Sequence, residues 1–271
     1  MKRWQIAFLA LILMILSVSI YMNFSGSIKP KSVLTVVLPT PTIIERKVKI
    51  AIMADVHSDE EELRKMLTLA KENQVEMVIV AGDLTINGKK AELEKVKTVL
   101  DESGLDYKVI PGNHEYSLLN FYNFFGEDYQ SVKIDEVKLI LINNAYKNGL
   151  GEDQIEWIKG EVAECRVLTC LAVMHKPLNN FFSAHVMGEG SEQVTQEAKW
   201  LRELLIKSGV RQIEAGHLHY VTSYELEGIR TDIVGAISRE RNTQSPRYTE
   251  LMIGKNLIER RVVEETNDLG N

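Results

Sequence analysis

With 271 residues, 45% hydrophobic and 26% charged, the chain has the composition of a globular protein with a real core, enough for one large domain or two small ones. Its net charge of −6 gives no support to a long nucleic-acid partner, which would call for a basic surface. The two cysteines, Cys165 and Cys170, exclude a disulfide framework; they can pair if the chain is exported, but the reading taken here is two small core residues.

The first 28 residues stand apart. Lys2 and Arg3 precede an unbroken apolar run from Ile6 to Leu16, and no charged residue occurs from Trp4 to Ile28. The expectation is a membrane anchor through residues 4–22, with Trp4 and Tyr21 placed as interfacial aromatics. Ser17-x-Ser19 and Ser25-x-Ser27 keep a cleaved signal segment open as the alternative. The short amino-terminal tail is more readily retained than translocated, so the remainder is expected outside the cytoplasm, membrane-anchored or, if cleaved, secreted. Residues 29–46 carry Pro30, Pro39 and Pro41 and read as a linker. The globular domain is assigned to 47–271.

Within it, Val48 to Met53 predicts a strand leading into Asp55-Val56-His57. Ser58 or Asp59 caps a helix through about Asn73, with Leu63, Met66, Leu67 and Ala70 at helical spacing. Val75 to Ala81 is a continuous apolar run, as buried parallel strands are, and ends in Gly82-Asp83. A helix over 89–102 and a strand over 106–110 follow, then Gly112-Asn113-His114-Glu115. The alternation predicts an α/β layered fold.

Residues 116–130 are rich in aromatics and are read as an amphipathic insert packing on the core, with a substrate-facing cap as the other possibility. Strands near 131–135 and 137–142, a helix over 151–164 and a buried strand from Val167 to Met174 lead to His175-Lys176. Residues 178–192 read as a loop over the site. A helix over 193–207 and a strand over 210–214 precede Gly216-His217-Leu218-His219. Short strand-like pieces over 220–226, 229–235 and 247–263 complete the chain, with Glu227-Gly228 as a hairpin turn.

Five strands thus end in metal-binding chemistry: Asp55-x-His57, Gly82-Asp83, Gly112-Asn113-His114-Glu115, His175 and Gly216-His217-x-His219. Of the chain's six histidines only His185 lies elsewhere. Imidazole mixed with carboxylate suits two divalent ions of the Mn, Fe or Zn type better than Mg or Ca. Two such ions about 3.5–4 Å apart can clamp the oxygens of an in-line displacement at phosphorus and hold a bridging hydroxide as the nucleophile.

This five-part set resembles the calcineurin-like metallophosphoesterase superfamily, over residues 48 to 235. The resemblance implies a four-layer α/β/β/α sandwich around a binuclear metal site. It implies that Asp55, His57 and His219 hold the first ion, that Asp83 bridges, and that Asn113, His175 and His217 hold the second. By the same likeness His114 is not a ligand but faces the substrate and assists the leaving group, and Glu115 orients that loop or the imidazole. Protein serine/threonine phosphatases of this superfamily carry Gly-Asp-x-x-Asp-Arg-Gly at the second motif. Here the stretch is Gly82-Asp83-Leu84-Thr85-Ile86-Asn87-Gly88, without the second acid and the arginine, and looks more like the branch with class III cyclic-nucleotide phosphodiesterases and exported phosphohydrolases. The expectation is a metal-dependent phosphoric ester hydrolase acting on a small phosphomonoester or phosphodiester. The alternatives are a non-catalytic metal-bound scaffold at the membrane and a nuclease of the same superfamily. Arg239 and Arg241 read as a solvated loop pair rather than phosphate ligands, Lys176 as surface or as a source of positive field, and His185 as a loop residue.

Overall fold

The computed structural model describes residues 12–14, 16, 46–255 and 257–264. The chain divides into two compact units, Met1–Ile44 and Glu45–Asn271. In the first, Ile12 to Met14 and Leu16 are helical. The rest of the expected anchor or signal over 4–22, and the linker over 29–46 up to Arg46, lie outside the described residues. Among the described residues no helix is long and apolar enough to cross a membrane.

The second unit follows the predicted alternation. Strands β1 (Val48–Met53), β2 (Met77–Ala81) and β3 (Tyr107–Ile110) enclose helices α1 (Glu60–Glu72) and α2 (Lys90–Ser103). Helix α3 (Leu118–Phe125) leads to β4 (Gln130–Ile134), β5 (Val137–Ile142), α4 (Glu152–Glu161) and a 3-10 turn over Val162–Arg166. Then come β6 (Thr169–Met174), α5 (Glu192–Ser208), β7 (Gln212–Ala215), β8 (Val221–Leu226), β9 (Ile229–Val234), β10 (Arg247–Ile253) and β11 (Ile258–Glu264). The helix starts are chemically marked. Asp59 accepts from the Glu62 amide at 3.2 Å, Ser117 from Asn120 at 3.3 Å and Ser191 from Val194 at 3.4 Å, each satisfying an amide that the helix cannot.

Two sheets result, in the orders β11-β10-β1-β2-β3 and β4-β5-β6-β7-β9-β8. Side chains alternate across each strand, so one run feeds two cores. Ile50, Ile52 and Ile79 meet Leu139, Leu141, Leu171 and Val173 between the sheets. On the other face of the first sheet, Ala51, Met53, Val78 and Val80 pack with Leu63 and Met66 of α1, Leu93 and Val96 of α2, and Phe121 of α3. Ile140, Ile142, Ala172 and Met174 of the second sheet pack with Ile158 of α4 and Leu201 and Leu205 of α5. The order of layers is therefore helix, sheet, sheet, helix. Each fully buried aliphatic side chain contributes roughly 1.5–3 kcal/mol, and truncation of one such as Ile52 to alanine would cost about 2–5 kcal/mol.

Three expectations change. Cys165 and Cys170 are bonded to each other across a separation of five residues, rather than standing as two free core residues. The 3-10 turn that ends α4 turns the chain back at once into β6, which brings the two Cα atoms to 5.3 Å. Residues 116–130 pack only in part: Phe121 is fully buried and Phe124 and Phe125 are partly so, but Tyr116, Leu119 and Tyr122 stay exposed. Residues 247–263 form a hairpin, whose β10 pairs antiparallel with β1 from Val48↔Ile253 to Ile52↔Thr249.

Candidate metal centre

β1, β2 and β3 run parallel, as do β5, β6, β7 and β9. Their carboxyl ends deliver the polar stretches, as open α/β sheets deliver ligand-binding groups. Main-chain bonds lock the loops to one another. The Asp55 and His57 amides donate to the Gly82 and Asp83 carbonyls at 3.1 and 3.0 Å, and the Gly216 amide to the His175 carbonyl at 3.0 Å. Asp55, His57, Asp83, His217 and His219 all have φ between 46° and 68°. Such left-handed backbone is uncommon outside glycine, though Asp and His tolerate it best, and costs of order 1–3 kcal/mol per residue. Gly82 (φ 91°) and Gly112 are glycines for a different reason: a Cβ at 82 would lie 2.6 Å from His175 Nδ1, and one at 112 would strike Asp83.

The side chains so placed form two overlapping groups. One donor atom from each of Asp55, His57, Asp83 and His219 falls within 4.8 Å of the others, and the same holds for Asp83, His175 and His217. Asp83 belongs to both. His57 Nε2 lies 3.2 Å from His219 Nε2, and His219 Nε2 lies 3.5 Å from Asp55 Oδ1. His175 Nε2 lies 3.2 Å from Asp83 Oδ2 and 3.0 Å from Asn113 Oδ1. The structure thus gathers all seven residues singled out as metal ligands.

Three observations test whether the set fits divalent ions. His175 Nδ1 lies 2.9 Å from the Ala81 carbonyl, so it must donate there, and Nε2 is left to face the oxygens of Asp83 and Asn113. A ring whose second nitrogen is held by a carbonyl is the usual arrangement of a ligating histidine. His217 Nε2 is buried with no hydrogen-bond partner, a costly state that an ion relieves. The titration pattern keeps two of the imidazoles neutral, as metal donors must be, and charges a third through its carboxylate neighbour. Burial drives His57 down and His217 down to about 2, the latter helped by His175. Burial also works against charge on His175 and Asp83, but their mutual attraction outweighs it, raising His175 to about 9 and holding Asp83 well below the carboxylate range. At His175 a proton, drawn by Asp83, takes the place a cation would fill. The residues fit the ions.

His114 stands at the rim. Its amide donates to Asp83 Oδ1 at 2.9 Å. Its Nδ1 lies 2.7 Å from the Ile86 carbonyl, which makes Nδ1 the donor and leaves Nε2 for a substrate. The ring sits edge-on to His57 at 4.7 Å between centroids.

Glu115, whose role the sequence left loose, is fully buried beneath this rim. It accepts from the Thr85 amide and hydroxyl at 3.0 and 2.9 Å and from the Gly112 amide at 2.8 Å. It therefore ties the loop after β2 to the loop after β3 and does not touch the His114 ring. Burial, then repulsion from Asp83, pushes its pKa up to about 7. The adjacency of glutamate to Asn113-His114 was the only sequence signal; Thr85, its main partner, lies 30 residues away. Arg239 binds Glu62 at 2.5 Å and Arg241 stays at the surface near Glu240. Lys176 is half-buried, and burial lowers its pKa. His185 pairs with Glu189 at 3.0 Å, with its ring 6.4 Å from that of His217. The loop over 178–192 leaves Phe182 95% exposed.

The sequence model described as calcineurin-like phosphoesterase matches residues 48–221. A probable cyclic nucleotide phosphodiesterase of Rhodococcus erythropolis is 26% identical over 191 residues, covering 64% of this chain and 62% of that protein. A probable glycerophosphodiester phosphodiesterase of Arcobacter nitrofigilis is 26% identical over 161 residues, covering 55% of this chain and 58% of that one. The chain thus spans about six tenths of the length of these curated relatives. Among solved structures, a dimetal phosphatase from Danio rerio superposes with a TM-score of 0.63 at 13% identity, covering 80% of this chain and 98% of that one. A purple acid phosphatase from yellow lupin gives 0.65 at 14% identity, covering 82% of this chain and 52% of that one. These two likenesses concern the fold.

Proposed function

The chain belongs to the calcineurin-like phosphoesterase family, and from that premise we propose that it is a phosphoester hydrolase working with two divalent metal ions. The observation that carries this is Asp83, the one residue common to both donor groups and the one a two-ion centre requires as a bridge. In this reading Asp55, His57 and His219 hold one ion, and His175, His217 and Asn113 hold the other. Bound there, Mn, Fe or Zn ions supply Lewis acidity, a low pKa for water and neutralisation of phosphate charge. The protein's own part is placement. Asp83 fixes the spacing of the two groups, and its carboxylate takes the His114 amide so that the rim moves with the ligands. His114, held at Nδ1 by Ile86, presents Nε2 to the departing oxygen; in its imidazolium form it would deliver the Nε2 proton there and be left neutral, still donating from Nδ1. The arrangement serves in-line attack by activated water on a phosphodiester or monoester. The names of the relatives, both phosphodiesterases, favour diesters.

The location proposed is a membrane anchor through residues 4–22, with the hydrolase outside the cytoplasm. The Cys165–Cys170 bond supports it, since disulfides persist in oxidising compartments.

The test measures bound metal and turnover together. Full-length protein loaded with Mn²⁺ is expected to hold two ions per chain and to hydrolyse bis(p-nitrophenyl) phosphate. Metal binding without turnover of diester or monoester would favour the non-catalytic scaffold instead. A reporter fused at the carboxyl terminus that is active only in the cytoplasm would sink the assigned orientation.

A further inference from the structure

A groove of about 730 Å³ opens beside His114 and takes no part in the metal centre. It lies at the same sheet edge: Asn143 follows Ile142, which is in register with Met174, the residue before His175. Tyr116, Tyr122, Tyr129 and Tyr146 line it. Two of these connect it to the reaction centre. The Tyr116 ring lies 5.9 Å from the His114 ring, and the Tyr146 hydroxyl donates to the Glu115 carbonyl at 3.0 Å. Tyr129 is held against Trp157, with centroids 4.9 Å apart.

The floor is fixed and the walls are acidic. Asn143 donates to the buried Asp128 at 2.6 Å and exchanges two hydrogen bonds with Gln154, at 2.8 and 2.9 Å. Glu152 and Asp153 stand exposed at the first turn of α4, and no lysine or arginine lines the groove. The phenols register that field. Burial first, then Asp128, pushes Tyr122 up to about 12, and Tyr129 is raised in the same way by burial, Asp128 and Asp153. Two lysines stand close by but outside the lining: Lys147, between Tyr146 and Asn148, and Lys176, on which Lys147 acts and which itself acts on His217.

We infer that this groove receives the alcohol arm of the ester, and that the arm is cationic, a quaternary or primary ammonium alcohol. The inference rests on the phosphoesterase reading. In that reading a phosphate held by the metal ligands would turn its leaving oxygen toward His114, and the alcohol beyond it would extend along Tyr116 and Tyr146. Electron-rich ring faces attract ammonium groups. The carboxylates add to that attraction and repel a second phosphate, so polyphosphates and dinucleotides do not suit this arm.

The experiment compares two methyl phosphodiesters on the full-length, Mn²⁺-loaded protein: one of choline, the other of its uncharged isostere 3,3-dimethylbutanol. The choline ester is expected to show a kcat/KM about 10-fold higher or more, the discrimination that ring and carboxylate contacts to one cation provide. In the Glu152→Gln/Asp153→Asn variant that ratio is expected to fall at least about threefold by the same argument. Equal rates on the two esters, or a ratio unmoved in the double variant, overturn the cationic arm while leaving the hydrolase reading in place. A faster rate on a uridine methyl phosphodiester than on the choline ester also overturns it and makes the groove a site for a neutral planar ring. Turnover of none of these esters overturns the cationic arm where bis(p-nitrophenyl) phosphate is still hydrolysed; where neither it nor p-nitrophenyl phosphate is turned over by protein holding two ions per chain, the hydrolase reading falls and this inference with it.

Discussion

The strand-end cluster around Asp83 and the mid-strand cluster around Glu214 are both buried and each contains two carboxylates. Around Asp83, five of the seven gathered residues sit in left-handed backbone. Their carboxylates meet imidazoles and the amides of His114 and His217 but, among the described residues, no guanidinium, and His217 Nε2 has no partner. Around Glu214 the backbone is regular strand. Glu214 of β7 lies directly across from Asp232 of β9. Two guanidiniums answer them, Arg230 at 3.0 Å and Arg260 at 3.6 Å from Asp232. In the second cluster the two arginines answer Asp232, and Glu214, whose Oε2 also lacks a hydrogen-bond partner, is kept neutral by its own proton. The first is left to be neutralised from solution, on backbone strained at five of the seven residues it brings together. Buried charge alone does not mark a site; buried charge without a resident counter-charge does.

The sharpest way to break this contrast is to remove the shared carboxylate. Asp83→Asn is expected to lower turnover by about 10³-fold or more. Elemental analysis should show fewer than two ions per chain, because both donor groups lose a member. Retention of both ions would mean that Asp83 is no bridge. His114→Ala is expected to act differently, cutting turnover about 10²-fold while both ions stay. The loss should be larger for esters of alkyl alcohols than for p-nitrophenyl esters, whose leaving group needs no proton. An equal loss on both would take the proton-delivery role from His114.

Glu115 tests the layer beneath. Glu115→Gln keeps one acceptor oxygen but turns an amide NH₂ toward the Thr85 or Gly112 amide. A buried donor left unpaired costs about 1–3 kcal/mol. The expected result below about pH 7, where no buried charge on Glu115 is relieved by the change, is a Tm lower by roughly 4–8 °C, with turnover reduced less than in His114→Ala and metal content unchanged. An unchanged Tm would show that the two loops do not depend on this tie.

The legibility of each cluster in the sequence follows from its backbone. The strands were readable because Val48–Met53, Val78–Ala81 and Leu171–Met174 are buried on both faces and so are apolar at nearly every position. The ligands were readable because each follows such a run, and because histidine is rare enough for five strand-end copies to be informative. What stayed hidden depends on contacts between distant segments. The Cys165–Cys170 bond needs the 3-10 turn that closes it. The purpose of Glu115 needs Thr85. In Gln212-Ile213-Glu214-Ala215 the alternation of polar and apolar residues reads as a half-exposed strand, yet all four are buried. The polar face of β7 is covered by the neighbouring hairpin, whose Arg260 reaches the Ile233 carbonyl at 2.9 Å and lies beside Asp232.

That hidden cluster yields the smallest expected effect and the clearest pH signature. Burial, then repulsion from Asp232, pushes Glu214 up to about 8, against the pull of Gln212, Arg260 and Arg230. A carboxyl that holds its proton in the folded state but releases it near pH 4.5 when unfolded makes the folded state bind more protons between those values. Stability then falls as pH rises from about 4.5 to about 8, with no further change from this group above that range. Glu214→Gln keeps the shape and the acceptor for Gln212 but removes the titration. Its Tm is expected to match that of the parent near pH 4.5 and to exceed it near pH 8.5. A gain on the order of 2 kcal/mol there corresponds to about 4–8 °C. Thermal melts across that range read the difference directly. Parallel curves for the two proteins would mean that Glu214 is ionised throughout, and that Arg230 and Arg260 hold it as fully as they hold Asp232.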